Sequence, residues 1–189
     1  GSGCGPISLI VAYRNPNSEV IGFEKNEIHH KISVLNNEEN NFENLKFKVH
    51  DNCIFDKNYE NYFDLILSNP PFFFTDKVLK SKNISINNSK YISELDLEKW
   101  LHNIILYLKA KGTAFIINRF ENIDFMLEIL KKFNLEVTTT PILSFKGSKP
   151  KNVLLKITKS DYFIEKTSNA IIIHDKLSKY SKDIVNWFK

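Results

Sequence analysis

Asn69, Pro70, Pro71 and Phe72 are the residues of this 189-residue sequence whose types and order point to the most definite chemistry. The apolar run Phe63 to Leu67 leads through Ser68 into these four residues, and Phe73 and Phe74 follow. Proline fixes φ and removes a ladder donor, so two in succession end a buried strand and make a rigid, extended turn. Such a turn holds Asn69 in one place and projects an aromatic ring beside it. The Asn69 side chain offers a carbonyl oxygen, and the main chain of Pro70 offers a second acceptor. Two acceptors suit a planar amine with two hydrogens to donate, while Phe72 stacks on the ring that carries it. The exocyclic amine of adenine is a poor nucleophile because its lone pair is delocalised. Drawing the nitrogen toward pyramidal geometry aims that pair at an electrophile, which is catalysis by orientation and preorganisation without a strong base. Stacking contributes on the order of 1–3 kcal/mol per base. The competing reading is a structural Pro-Pro turn over core phenylalanines.

A second constellation lies at the start. Three of the six glycines, Gly1, Gly3 and Gly5, fall in the first five residues and run through Pro6 into an apolar helix. Alternating glycines permit positive φ and close approach of the backbone to a ligand, and a helix start presents unpaired N–H groups. A flexible Gly-Ser remnant would look the same. What separates the two is Glu24, which ends the next strand about 20 residues on, where a carboxylate can accept hydrogen bonds from both hydroxyls of a ribose. Asp51 follows the third apolar run in the same way and could accept from an adenine amino group; as a simple turn residue it would also fit. His29 and His30 are neighbours on one helix, point in different directions and make a poor metal pair, and His174 reads as a packing residue. Cys4 and Cys53 lack the spacing of a zinc site, so no metal is expected and a reduced, cytoplasmic chain is the simplest reading.

The elements that must position these residues alternate along the chain. Apolar periodicity predicts helices over Pro6 to Arg14, Asn26 to Asn37, Leu95 to Lys109 and Ile123 to Phe133. It predicts strands over Glu19 to Glu24, Leu45 to His50, Phe63 to Ser68, Thr113 to Arg119, Leu135 to Thr140, Val153 to Thr158 and Ala170 to Ile173. Apolar strands alternating with helices make an α/β fold with a mainly parallel sheet covered on both faces. No repeat or boundary interrupts residues 1–189, so one domain is expected. Thr75 to Lys90 is the longest irregular stretch, of the kind often used as a binding loop. With 26 basic and 22 acidic residues the formal charge is +4, which permits an anionic partner without demanding one. No apolar run approaches the ~20 residues that span a bilayer.

Together these residues resemble a class I S-adenosylmethionine-dependent methyltransferase that modifies amino groups. Within that superfamily the closest resemblance is to the bacterial tRNA(Val) adenine-N6 methyltransferases. Gly1, Gly3 and Gly5 match the cofactor loop, Glu24 the ribose-binding acid, Asp51 the adenine-side acid, and Asn69 to Phe72 the catalytic motif. Gly147-Ser148-Lys149-Pro150-Lys151-Asn152-Val153-Leu154-Leu155 and the ending Tyr180 to Phe188 are similar to that family's terminal segments. The resemblance implies a Rossmann-like sheet, mostly parallel with one antiparallel strand near the C-terminus, S-adenosyl-L-methionine as cofactor and tRNA as substrate. It also implies a strand ahead of the glycine loop, so the sequence is expected to begin one element late, as an N-terminally truncated chain. Two positions depart from the family: Phe72 stands where Tyr is usual, and Lys90-Tyr91 where an Arg-His pair is usual.

Lysines are the natural phosphate contacts for such a substrate. Lys146, Lys149, Lys151, Lys156 and Lys159 gather around the last strands, with Lys77, Lys80, Lys82 and Lys90 in the long loop. Lys90, Lys149 and Lys151 are the candidate RNA contacts, against the alternative of simply solvated lysines. Guanine-N2 methylation of ribosomal RNA, glutamine methylation of a protein, and a non-catalytic RNA- or partner-binding domain are the competing functions. Oligomeric state is not readable from the sequence.

Overall fold

A computed structural model describes residues 1–74, 91–175 and 179–187. The expected loop Thr75 to Lys90, including Lys77, Lys80, Lys82 and Lys90, lies outside the described residues, as does Phe188. The chain divides into two compact units, Gly1–Lys57 and Asn58–Lys189.

The first unit alternates helix and strand: α1 (Pro6–Arg14), β1 (Val20–Glu24), α2 (Glu27–Asn40) and β2 (Leu45–Val49). Helix α1 starts where Pro6 supplies a ready φ and Gly5 accepts the first helical bond from the Leu9 N–H at 2.9 Å. It ends at Asn15, whose main-chain and side-chain N–H groups both donate to the Val11 carbonyl. Asn26 caps α2, its Oδ1 accepting from the N–H groups of Ile28 and His29 at 3.0 Å each. Asn41, at φ 55°, closes the other end in the left-handed region. Strands β1 and β2 pair in parallel, with Glu24 opposite Val49, so both strands deliver their carboxyl ends to one edge.

The second unit is built on a six-stranded sheet. Its members are β3 (Phe63–Ser68), β6 (Leu108–Arg119), β7 (Leu135–Leu143), β8 (Asn152–Lys159), β9 (Ile164–Thr167) and β10 (Ile171–Ile172). The order is β10-β7-β8-β6-β3, with β9 pairing β7. β8 runs antiparallel to both β6 and β7, while the other pairings are parallel. The short strands β4 (Phe73–Phe74) and β5 (Tyr91–Ile92) pair separately. Helices α3 (Glu94–Tyr107), α4 (Ile123–Leu130) and α5 (Lys182–Trp187) complete the unit. Ser93 caps α3 by accepting the Asp96 N–H at 3.0 Å. Leu97 and Leu101 of α3, Met126 and Leu130 of α4, Ile116 of β6 and Leu155 and Ile157 of β8 are fully buried. At roughly 1.5–3 kcal/mol for each large apolar side chain, this core holds β6 and β8 rigid behind the turn that follows β3.

The expected spans are met for α1, β1, β2, β3 and β8, and β8 is antiparallel, as expected for a strand near the C-terminus. Several details differ, among them α2, which runs past Asn37 to Asn40, and β7, which runs past Thr140 to Leu143. β6 begins at Leu108, directly after α3, with an irregular register between Phe63 and Leu65 of its partner, which absorbs the residues around Gly112. Helix α4 stops at Leu130, three residues early, in a tight turn where the Phe133 N–H donates to the Leu130 carbonyl. β9 has one apolar residue in four and gave no alternation to read. β3 was expected to be buried on both faces, yet Leu65 and Leu67 are 47% and 40% exposed, because β3 is the edge strand of its sheet. Among the described residues no helix is long and apolar enough to cross a membrane.

Candidate active site

In the first unit the glycine segment forms a compact turn, with Gly5 N–H donating to the Ser2 carbonyl at 3.0 Å. Gly3 and Gly5 adopt φ of 57° and 92°. A Cβ on Gly5 would come within 2.6 Å of the Phe47 ring, whereas one on Gly3 would meet nothing within 4 Å. Gly5 is thus required by packing and conformation, and Gly3 by conformation beside open space. Three contacts fix the turn. The Ser2 N–H donates to the Phe23 carbonyl at 2.6 Å, the Gly3 N–H to Glu24 Oε2 at 2.8 Å, and Asn36 Nδ2 to the Cys4 carbonyl at 2.8 Å. Gly1 lies exposed ahead of it.

Glu24 is 7% exposed, so it is not the solvated acid that its place before a helix would allow. Its second oxygen accepts the Asn26 N–H at 2.9 Å. A carboxylate has about four lone-pair sites, so two remain for a ligand's hydroxyls. Asp51 follows on the neighbouring strand end, with the His50 N–H bonded to the Glu24 carbonyl at 3.1 Å. Burial opposes ionisation of Asp51, but the Cys53 N–H on Oδ1 at 2.9 Å and the Lys25 ammonium 3.7 Å from Oδ2 outweigh it. The carboxyl is held below its ordinary value. Burial likewise lowers the His50 imidazole, against the opposing charges of Asp56 and Asp51. Phe23 packs on that imidazole with ring centres 4.6 Å apart. Ser2 Oγ is buried without a hydrogen-bond partner among the described residues.

An open-sided glycine turn, a buried acid with spare acceptor capacity, an orphaned hydroxyl and a second ionised acid make a donor and acceptor set that fits a nucleoside cofactor such as S-adenosylmethionine. Sequence reasoning missed Ser2, Asn36 and His50. Asn36 carried a weak signal, an asparagine inside a helix, where its side chain competes with the helical bonds unless it has another task.

In the second unit Asn69 to Phe72 follow the carboxyl end of β3. Asn69 is exposed and its side chain has no hydrogen-bond partner among the described residues, whereas Pro70 is buried and Phe72 half-buried. Trp100 Nε1 donates to Ser68 Oγ at 3.1 Å just before the turn, and Asn122 Nδ2 donates to the Phe72 carbonyl at 2.9 Å just after the prolines. The guanidinium of Arg119 sits 5.7 Å above the centre of the Phe73 ring. Trp100, Asn118, Arg119 and Asn122 support or flank this turn, and the sequence reading did not single them out.

The lysine cluster is split by the sheet. Because β8 is antiparallel to β6, Lys151 lies at the end where β6 finishes, and the Phe120 N–H donates to its carbonyl at 3.0 Å. That is also the end at which parallel β3 delivers Asn69. Lys149 and Lys151 are exposed and make no ion pair among the described residues. Lys159 is at the opposite end, about 25 Å away at ~3.3 Å per residue. There its ammonium donates to Asn61 Oδ1 at 2.8 Å and to the Leu108 carbonyl, and burial lowers its pKa. It is corrected from a member of an RNA-facing cluster to a strut between strand ends.

Residues 1–86 match the methyltransferase small domain family. A tRNA1(Val) (adenine(37)-N6)-methyltransferase from Aliivibrio salmonicida is 26% identical over 186 residues, covering 98% of this chain and 77% of the relative. The release factor glutamine methyltransferase of Buchnera aphidicola is 30% identical over 142 residues, 71% of this chain and 50% of the relative. Among solved structures, one from Agrobacterium tumefaciens described as a predicted O-methyltransferase superposes with a TM-score of 0.75 at 16% identity, covering 98% of this chain and 84% of its own. Sheet order, glycine turn and these likenesses agree on the fold of the class I methyltransferases and on a methyltransferase that uses S-adenosylmethionine.

Proposed function

We propose that the protein transfers a methyl group from S-adenosylmethionine to the exocyclic N6 amine of an adenine in tRNA. The observation that carries this reading is Asn69, an exposed amide without a hydrogen-bond partner among the described residues, on a turn made rigid by Pro70 and Pro71, with Phe72 beside it. Asn69 Oδ1 and the Pro70 carbonyl accept the two amine hydrogens, and Phe72 stacks on the base. Holding both hydrogens turns the nitrogen lone pair out of the ring, and the turn's rigidity means that this geometry needs little reorganisation during reaction. When bound, S-adenosylmethionine supplies an electrophilic methyl on a sulfonium. Gly1, Gly3, Gly5, Glu24 and Asp51 are assigned to its binding, Glu24 to the ribose and Asp51 to the adenine side.

The RNA assignment draws on the name carried by the Aliivibrio relative and by others such as that of Porphyromonas gingivalis. It draws also on Lys149 and Lys151, exposed and without an ion pair among the described residues, at the end of the sheet that bears Asn69. Lys90, outside the described residues, is assigned with them. A second reading, methylation of a protein glutamine, is favoured by the 30% identity to a release factor methyltransferase. A side-chain amide presents the same two hydrogens. Incubation with labelled S-adenosylmethionine and separated tRNA, ribosomal RNA and protein fractions decides between them. Label in tRNA alone is expected; label confined to protein would replace this reading by the second.

A further inference from the structure

Asn122 occupies the N-cap position of α4, where an asparagine ordinarily accepts N–H groups of the first turn and stabilises the helix. It makes no such cap bond. Its amide instead donates to the Phe72 carbonyl, 50 residues earlier, at 2.9 Å and to Asn118 Oδ1 at 2.8 Å. Asn118 Oδ1 also accepts the Arg119 N–H at 2.7 Å. Both asparagines are buried, at 0% and 5% exposure, and Asn118 Nδ2 has no hydrogen-bond partner among the described residues. An unsatisfied buried donor costs stability, and the unused cap costs more still. An apolar pair of the same size would avoid the first cost, and a capping Ser the second. What the asparagine pair supplies is a fixed Phe72 peptide.

We propose that Asn122, oriented by Asn118, is a positioning residue for the turn Asn69 to Phe72. This rests on the reading of that turn as the amine-binding element. Pro70 and Pro71 fix φ within the turn, Trp100 holds Ser68 at its entrance, and Asn122 holds Phe72 at its exit. Between the two anchors the Asn69 amide is free to meet the substrate. Asn122 engages the Phe72 carbonyl and so fixes the exit of the turn, away from the Asn69 side chain and the Pro70 carbonyl that are read as the amine acceptors. Releasing Phe72 lets its ring leave the stacking position, a displacement of the kind that costs rate more than ground-state affinity.

The test uses Asn122→Ser and Asn122→Asp in the full-length protein. Both residues are good N-caps for α4, and neither brings an amide donor to the Phe72 carbonyl. Expected are a fall in kcat for methyl transfer of about 10–100-fold, an S-adenosylmethionine Kd within twofold of wild type, and a melting temperature that does not fall in at least one variant. A wild-type kcat in a folded variant overturns the proposal. So does a loss of activity that follows a lowered melting temperature in both variants, because that is a structural role. Asn69→Ala is measured alongside. If it is inactive while Asn122→Ser keeps kcat, this inference alone fails; if Asn69→Ala keeps kcat, the reading of the turn itself fails.

Discussion

Glu24 has both carboxylate oxygens engaged with main-chain N–H groups, one from Gly3 of the glycine turn and one from Asn26 at the start of α2. A single buried side chain therefore joins the turn to the helix cap, and any ligand hydroxyl it binds meets an acid that is already oriented. Its chemistry was legible in the sequence from its place at a strand end about 20 residues after the glycines. Its burial was not, because an acid before a helix start is ordinarily solvated, and only the folded turn supplies the N–H that makes burial tolerable. Glu24→Gln keeps the size but replaces one acceptor by an NH2 group that faces an N–H. Hydrogen bonds to charged groups are worth about 1.5–3 kcal/mol, so Glu24→Gln is expected to weaken S-adenosylmethionine binding roughly 10-fold or more in a calorimetric titration. An unchanged Kd would remove Glu24 from the cofactor site.

At the level of elements, strand ends and helix starts carry the site. β1 and β2 bring Glu24 and Asp51 to one edge of the first unit, and β3 and β6 bring Asn69 and Arg119 to one end of the second unit's sheet. These elements were readable because long apolar runs and prolines mark them. The turn's supports were not readable. Nothing in the spacing of Trp100 or Asn122 announces a bond to Ser68 or Phe72, which lie 32 and 50 residues away in the chain. The split of the lysines follows from β8 running antiparallel, which a list of lysine positions does not reveal. At the start of α1 the critical position is its N-cap Gly5, at φ 92° with the Phe47 ring against it. Gly5→Ala combines an unfavourable backbone conformation with overpacking and is expected to destabilise the fold by about 1–3 kcal/mol, read from urea unfolding. Wild-type stability would mean that the turn is looser than its contacts indicate.

Across the whole molecule, charge is modest, with +4 spread over 26 basic residues and only two arginines, so affinity for RNA depends on where the free lysines lie. Lys149 and Lys151 are exposed at the Asn69 end of the sheet and make no ion pair among the described residues, whereas Lys159 is engaged with Asn61 and Leu108. Lys149→Gln and Lys151→Gln are each expected to lower the slope of log K against log salt for tRNA binding by about 1, with Lys159→Gln leaving the slope unchanged. Equal effects at all three positions would contradict the split. The central claim is that the turn after β3 activates an exocyclic amine of adenine in RNA. Its most direct test compares wild-type protein with Asn69→Ala on tRNA and S-adenosylmethionine, followed by digestion and mass analysis of the nucleosides. Wild type is expected to yield N6-methyladenosine, and Asn69→Ala to bind the cofactor normally while transferring roughly 100-fold less methyl. An Asn69→Ala protein as active as wild type, or a methyl group on any atom other than that amine, would contradict it.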